Sequence, residues 1–316
     1  MKIGIVGAGL VGATCAYSLV MRGIGREIVL VDADEKRSRA QANDIFHAVP
    51  FAHPLKVVPG EYSDLSGSQV VIIAAGVSQK PGEPRIALLG RNAAVFEKVI
   101  PQILLYAPDA VIVAATNPVD IMTHIAAYYA HRDGVPSTRV IGSGTTLDTA
   151  RFRVLVGNHL GVDPQHIHGY VIGEHGQTEV LAWSAVRVGG MSLEEFCRDQ
   201  NCSLDDKVKK DIDQKVRGAA FHIIEGKGAT YYGIGSALAR ITDVIIHDQR
   251  SILTVCTKKT GVEGIPDITL SLPHILGGSG IIKTLAIPLC DEERDLLTAS
   301  AASIRDTLSG MQMFGA

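Results

Sequence analysis

Through the first 142 residues, short runs of aliphatic and β-branched residues alternate with longer stretches of helical periodicity. The apolar runs are Lys2–Val6, Glu27–Val31, Gln69–Ala75, Ala110–Ala115 and Arg139–Ile141, with a weaker one at Leu55–Val58. Between them lie helix-like segments near 10–22, 35–48, 91–106 and 118–131. Strands alternating with helices predict βαβ units and a parallel sheet, and strands that are apolar almost throughout predict cover on both faces. Up to six such strands fit a doubly wound, nucleotide-binding sheet.

From about Ser143 the alternation stops. The pattern then predicts a helix carrying Asp148, a strand near His168–Ile172, a long helical region from about Asp206 to His247, a strand-rich stretch to Ile287 and a final helix near Asp291–Ser309. This reads as a mixed α+β second domain over 143–316. With no internal repeat and no low-complexity linker, the two domains are expected to be closely apposed, with the active site in their cleft.

Composition narrows the function classes. A chain of 316 residues, 46% hydrophobic and 20% charged, buries a large core. Its formal net charge of -3 offers no basic field for nucleic acid and no polybasic membrane patch. The apolar runs are strand-length and interrupted by glycine, too short to span a bilayer. Cys15, Cys197, Cys202, Cys256 and Cys290 are scattered, with no Cys-x-x-Cys pair, so a disulfide framework or a zinc site is not expected and no metal is assigned. A reducing, cytoplasmic setting fits, because Met1-Lys2 runs straight into an apolar strand without the regions of a signal peptide.

Gly7-Ala8-Gly9-Leu10-Val11-Gly12 follows the first strand and opens the first helix. Gly7 permits a tight turn, Gly9 lets backbone approach a pyrophosphate, and Gly12 lets helix and strand pack closely. Alone such a motif is weak. Asp32, closing the second strand 20 residues after Gly12, places a carboxylate where it meets ribose hydroxyls and repels a 2′-phosphate. NAD is therefore favoured over NADP, although Lys36 and Arg37 stand nearby.

The loop Ala74–Arg85 follows another sheet strand at its carboxyl end, where doubly wound sheets bind ligands. For Gln79, Lys80 or Arg85 taken singly, a solvated loop residue is an equally good reading. Thr116–Asp120 ends the next strand and starts a helix with proline early in it, and Asn117 reads either as a helix N-cap or as a ligand. His175, flanked by glycines in Gly173-Glu174-His175-Gly176, supplies an acid–base imidazole. Asp148 and Arg151, spaced i, i+3 on one helix face, supply a carboxylate to orient it and a guanidinium to clamp an anionic substrate.

These segments, with Arg91-Asn92, Gly142–Arg153, Glu225–Gly235 and Ser271–Gly277, run from end to end of the chain. Together they resemble the bacterial L-lactate dehydrogenases of the lactate/malate dehydrogenase family. The resemblance implies an N-terminal Rossmann domain, NAD as cofactor, and hydride transfer between NADH and pyruvate to give lactate. It implies His175 as the proton donor, Asp148 as its orienting carboxylate, Arg151 as the clamp on the substrate carboxylate, and Arg85 as a mobile-loop cation on the carbonyl. Asn117 and Thr230 would line the substrate site. The cofactor-binding set would be Gly7, Gly9, Val11, Gly12, Asp32, Arg37, Tyr62, Gly76, Val77, Ala115, Asn117, Ser143 and Ile234. A homotetramer is the family's expected assembly.

Position 79 divides the family by substrate. Malate dehydrogenases resembling this chain carry arginine there, to pair with a second carboxylate; neutral Gln79 favours a small apolar substrate end such as the methyl of pyruvate. Some bacterial relatives bind fructose 1,6-bisphosphate with an arginine and a histidine that map to Arg153 and His168, for which a surface ion pair is the alternative. Gln177 stands where the family usually has aspartate, which removes a negative charge near His175, and Pro84 stands where threonine is common. The open alternatives are a dehydrogenase for malate or bulkier 2-oxo acids, and a non-catalytic NAD-binding protein, which would have no need of the four charged residues.

Overall fold

The computed structural model describes residues 1–77 and 85–311, with the backbone alone at Arg85. The first half alternates β1 (Lys2–Val6), α1 (Leu10–Arg22), β2 (Glu27–Val31), α2 (Glu35–Phe46), β3 (Lys56–Pro59), β4 (Ser68–Ile73), α3 (Arg85–Tyr106), β5 (Val111–Ala114), α4 (Val119–Arg132) and β6 (Val140–Gly142). Six parallel strands lie in the order β3-β2-β1-β4-β5-β6, so the strand order reverses between β1 and β4. Ligands of doubly wound sheets bind beyond the carboxyl ends at that reversal.

Successive residues of each strand feed opposite faces, as the pleat requires. Ile3 and Ile5, Ile28 and Leu30, and Val70 and Ile72 pack on the side of α1 and α2. Val6, Val29 and Val31, and Val71 and Ile73 pack on the side of α3 and α4. Burial on both faces is what the near-continuous apolar strands predicted, and each predicted strand of this half is present within two residues of its expected ends. The third helix is longer than expected, beginning at Arg85 rather than 91, and it carries Pro101 in its interior.

The second half contains α5 (Thr146–Leu160), β7 (Ile167–His168), β8 (Val171–Ile172), β9 (Val180–Leu181), β10 (Arg187–Val188), β11 (Met191–Ser192), α6 (Leu193–Asp199), α7 (Asp206–Lys227) and α8 (Tyr232–Ile246). It ends with β12 (Ser251–Leu253), β13 (Cys256–Val262), β14 (Ile265–Ser271), β15 (His274–Gly277), β16 (Gly280–Thr284) and α9 (Asp291–Ser309). Three expectations are corrected here. The strand near His168–Ile172 is two strands, β7 and β8, which pair with different partners, β10 and β9. The helical region from Asp206 to His247 is broken at Gly228, which sits at φ 81° and closes α7 through a bond from its N–H to the Ile224 carbonyl. The hairpin β13–β14 adds antiparallel to the edge strand β6, with Cys256 opposite Gly142, so the sheet has eight strands. Residues more than a hundred positions downstream thus complete the first sheet.

Two close crossings seat α8, one against the nucleotide-binding half and one against α5 of its own half. A Cβ at Gly235 of α8 would lie 2.6 Å from Thr14 Cγ2 of α1, and one at Gly233 would lie 3.1 Å from Leu147 Cδ1 of α5. Glycine at these positions lets α8 lie against both helices. α9 closes the other side of the sheet, burying Leu297, Ala301 and Ile304 in the same core as α3 and α4.

Candidate active site

At the reversal point the glycine turn is shaped by backbone contacts. Gly7 takes φ +104°, and a Cβ there would sit 2.4 Å from Ala75 N. A Cβ on Gly12 would sit 1.9 Å from Gly7 O, whereas at Gly9 the space is open for 4 Å. Gly7 and Gly12 are therefore required by packing, and Gly9 leaves the approach to the N-terminus of α1 clear. The Ala8 N–H donates to Asp32 Oδ2 at 2.7 Å, tying the turn to the end of β2, and the Asp34 N–H donates to Asp32 Oδ1 at 2.9 Å. Arg37, exposed, lies 3.9 Å from Asp32 Oδ1 and 3.7 Å from Asp34. Tyr62 stands close enough that burial and then the charge of Asp32 raise its phenol pKa.

The neighbouring strand ends carry more of the expected cofactor residues. A Cβ on Gly76 would meet Thr116 Cγ2 at 2.7 Å, and the Val77 N–H donates to Asn92 Oδ1 at 2.8 Å. The Ala115 N–H bonds the Ile73 carbonyl and the Ser143 N–H bonds the Ala114 carbonyl, each at 2.9 Å. Ile234 and Val11 pack at the edge of one core. An open backbone approach at Gly9, a helix N-terminus behind it and a carboxylate held at the end of β2 fit a dinucleotide.

Asn117 is exposed and precedes a cis peptide bond to Pro118. It is not a helix cap: Pro118 takes the cap position of α4, without a side-chain bond. Two residues on, Asp120 is buried and its Oδ2 accepts the backbone N–H of His175 at 2.7 Å.

The cluster around His175 is built on α5 and on the loop after β8. Asp148, 2% exposed, faces His175 with one oxygen and Arg151 with the other: His175 Nδ1 lies 2.5 Å from Oδ2, and Arg151 Nη1 donates to Oδ1 at 2.6 Å. The i, i+3 spacing on α5 makes the second contact, and the imidazole is left with Nε2 for a ligand. Burial would lower the pKa of His175, but the hydrogen bond and charge of Asp148, joined by Asp120 and Glu179, outweigh it and lift it to about 9. A pKa raised in this way favours the charged imidazole at neutral pH.

Two members of this cluster were not singled out in the sequence. Asp120 anchors the His175 backbone, and burial pushes its pKa up to about 7 against the lowering effect of that bond. Glu179, 3% exposed, has an Oε1 without a hydrogen-bond partner, and burial followed by the charge of Asp148 holds its pKa well above the usual carboxylate range. The available signal for Glu179 was an acid set directly against the apolar strand Val180–Leu181. Asp148, His175 and Glu179 present ligand atoms within 4.8 Å of one another, the composition of a metal site, but Arg151 already brings a positive charge to Asp148.

Gln177, where an aspartate was expected, gives its backbone carbonyl to Arg217 Nη1 at 2.7 Å, while the rest of that guanidinium is paired with Asp213. Thr230 is half-buried in the connection into α8, the helix whose Gly233 lies against Leu147. Gln79 lies outside the described residues, as do Lys80, Pro84 and the side chain of Arg85. Arg153 projects elsewhere on α5: its Nε donates to the Gly169 carbonyl at 2.9 Å and its guanidinium stacks 5.4 Å from the Tyr170 ring centre. His168 is exposed on β7 next to that carbonyl.

Residues 1–142 match the NAD-binding domain of lactate/malate dehydrogenases, and residues 145–314 match their α/β C-terminal domain. The chain belongs to the lactate/malate dehydrogenase family. It is 56% identical over 313 residues to the L-lactate dehydrogenase of Geotalea daltonii, covering 99% of this chain and 100% of that one. Against the L-lactate dehydrogenase of Thermus aquaticus it is 53% identical, covering 98% and 99%. The minor L-lactate dehydrogenase of Enterococcus mundtii, solved with ligands bound, superposes with a TM-score of 0.93 at 34% identity, covering 99% of this chain and 98% of that one. This family uses NAD through its N-terminal domain, and the glycine turn and Asp32 are the parts of this chain that fit it.

Proposed function

We propose that the protein is an L-lactate dehydrogenase that interconverts pyruvate and (S)-lactate. The observation that carries this reading is the Asp148 carboxylate bonded at once to His175 and Arg151, in a chain whose relatives at more than 50% identity are L-lactate dehydrogenases. NADH, when bound, supplies the hydride. His175 holds the transferable proton on Nε2, and Asp148, on Nδ1, fixes the ring and favours its charged form. Arg151 offers its remaining N–H donors to the substrate carboxylate in a planar fork that lysine cannot reproduce. Arg85 polarises the carbonyl from the loop end, Asn117 and Thr230 border the substrate, and Gln79 meets its methyl end. The cofactor lies along the glycine turn, Asp32, Arg37, Tyr62, Gly76–Val77, Ala115, Ser143 and Ile234. In this reading residues 1–142 form the NAD-binding domain and hold most of the cofactor site, and 143–316 form the catalytic domain and carry His175, Asp148 and Arg151.

Neutral Gln79 favours pyruvate over oxaloacetate, because a second carboxylate enclosed beside it would lack a cationic partner. The test compares kcat/KM for both oxo-acids in the parent and in Gln79→Arg. The parent prefers pyruvate, and the substitution moves the ratio toward oxaloacetate by about 100-fold, at about 1.4 kcal/mol per decade. A parent that already prefers oxaloacetate ends the lactate reading; a ratio unmoved by the substitution removes residue 79 from the substrate site.

Arg153 and His168 are further proposed to bind fructose 1,6-bisphosphate, which would lower KM for pyruvate in the parent and not in Arg153→Gln. For the assembly we propose a homotetramer, as in the family the chain resembles, checked by light scattering. No described helix is long and apolar enough to cross a membrane, and the five free cysteines fit the reducing cytoplasm, where we place the enzyme.

A further inference from the structure

The turn that ends α6 brings together two cysteines that look unrelated in sequence. α6 stops at Asp199, Gln200 caps it, and Asn201 takes the left-handed conformation at φ 51°. The Cys202 N–H then reaches back to the Cys197 carbonyl at 2.9 Å. A helix closed this way sets the side chain two places beyond its cap against the side chain three from its end, a contact usually made by two apolar groups. Here both are cysteines, and the neighbouring Cys202 thiol is among the influences that raise the Cys197 pKa. Both are half-buried, so small reagents reach them, whereas Cys15 and Cys256 are sealed in the core.

We propose that Cys197 and Cys202 are a redox pair that closes to an intrachain disulfide when a low-molecular-weight disulfide such as oxidised glutathione accumulates. One cysteine thiolate attacks the oxidant, forming a mixed disulfide and releasing one small thiol. The second cysteine attacks the protein sulfur of that mixed disulfide and releases the other. Two protein thiols become one disulfide, one oxidant disulfide becomes two thiols, and no proton is gained or lost overall. Burial and then the Cys202 thiol push the Cys197 thiol up to about 11, so Cys197 rests protonated at neutral pH and the exchange runs faster as pH rises.

The bond would staple the connection between two helices of the catalytic half. Next to Cys202, the Ser203 carbonyl lies 2.7 Å from His159 Nε2 on α5, and Asp205 caps α7 by accepting the Val208 N–H at 2.9 Å. The staple touches none of the proposed catalytic side chains, so it acts on how firmly α7 is held.

The test incubates the folded full chain with oxidised glutathione at mildly alkaline pH, alkylates free thiols and maps the digest by mass spectrometry. A peptide linked through Cys197 and Cys202, abolished by dithiothreitol and by either Cys197→Ser or Cys202→Ser, is the expected result. In each variant the remaining cysteine should instead retain glutathione. Both thiols recovered unmodified, or stable glutathione adducts on both in the parent, would overturn the pairing.

Discussion

The glycine turn at Gly7–Gly12 and the cluster around His175 work by opposite means. The turn is built of backbone and of absent side chains, and Asp32, a charged partner, comes from the end of the adjacent strand of the same βαβ unit. The cluster works with buried charge: Asp148 and Arg151 from α5, His175 and Glu179 from the loop after β8, and Asp120 from the start of α4. A site made of backbone fails when an atom is added. One made of charge fails when an atom is removed or a proton moves. The two sites should therefore break separately.

The largest separation is expected in His175→Ala. The proton donor is lost, so kcat should fall by about 10²–10⁴-fold, while NADH binding, followed by its fluorescence, stays at the parent value. Activity within about tenfold of the parent would show that another group donates the proton.

Gly12→Ala tests the opposite case. Its Cβ would overlap the Gly7 carbonyl at 1.9 Å, so the turn or α1 must shift. Overpacking of this kind costs about 1–3 kcal/mol. NADH affinity should drop at least about tenfold in calorimetry, with denaturation at lower urea, whereas pyruvate reduction at saturating NADH should be less affected than in His175→Ala. Unchanged affinity would remove this turn from the cofactor site.

A change of pH reaches only the charged site. The folded-state pKa of His175 is raised to about 9, so the imidazolium persists below that and is lost as pH rises through it. Pyruvate reduction, which needs the proton, should hold its kcat/KM across neutral pH and fall about tenfold per pH unit above about 9, while lactate oxidation gains over the same range. The same sign governs stability: the charged imidazole's contribution is complete below the ordinary histidine pKa of about 6.5 and disappears as pH passes about 9. A reduction profile that falls near 6.5 would show that Asp148 does not hold the ring as described.

Glu179→Gln should give the smallest change. Its charge is the last and least of the groups that lift His175, so the falling limb should move to lower pH by less than in Asp148→Asn. KM for NADH stays fixed. A shift to higher pH would reverse the assigned sign.

Sequence alone determined most of the first half. Apolar strands with two buried faces, a glycine turn behind β1 and an acid closing β2 are local patterns, and local patterns survive translation into structure because neighbours in sequence remain neighbours in space. It also determined the i, i+3 partnership of Asp148 and Arg151, which the geometry of one helix fixes. Tertiary structure alone decided that β13 and β14 complete the nucleotide-binding sheet, since an exposed edge accepts any strand whose backbone can reach it and nothing in residues 256–271 names β6 as partner. It also decided that Asp120, 55 residues before His175, holds the histidine's backbone. Cys197 and Cys202 are brought together for a similar reason, because a capping turn folds the chain back there. Glu179 shows the limit most plainly. In sequence it is one acid among 33 Asp and Glu residues, and only its burial beside Asp148 and His175 raises its pKa and gives it a role at the site. Burial is set by the packing of distant elements, and packing is what one-dimensional periodicity leaves open.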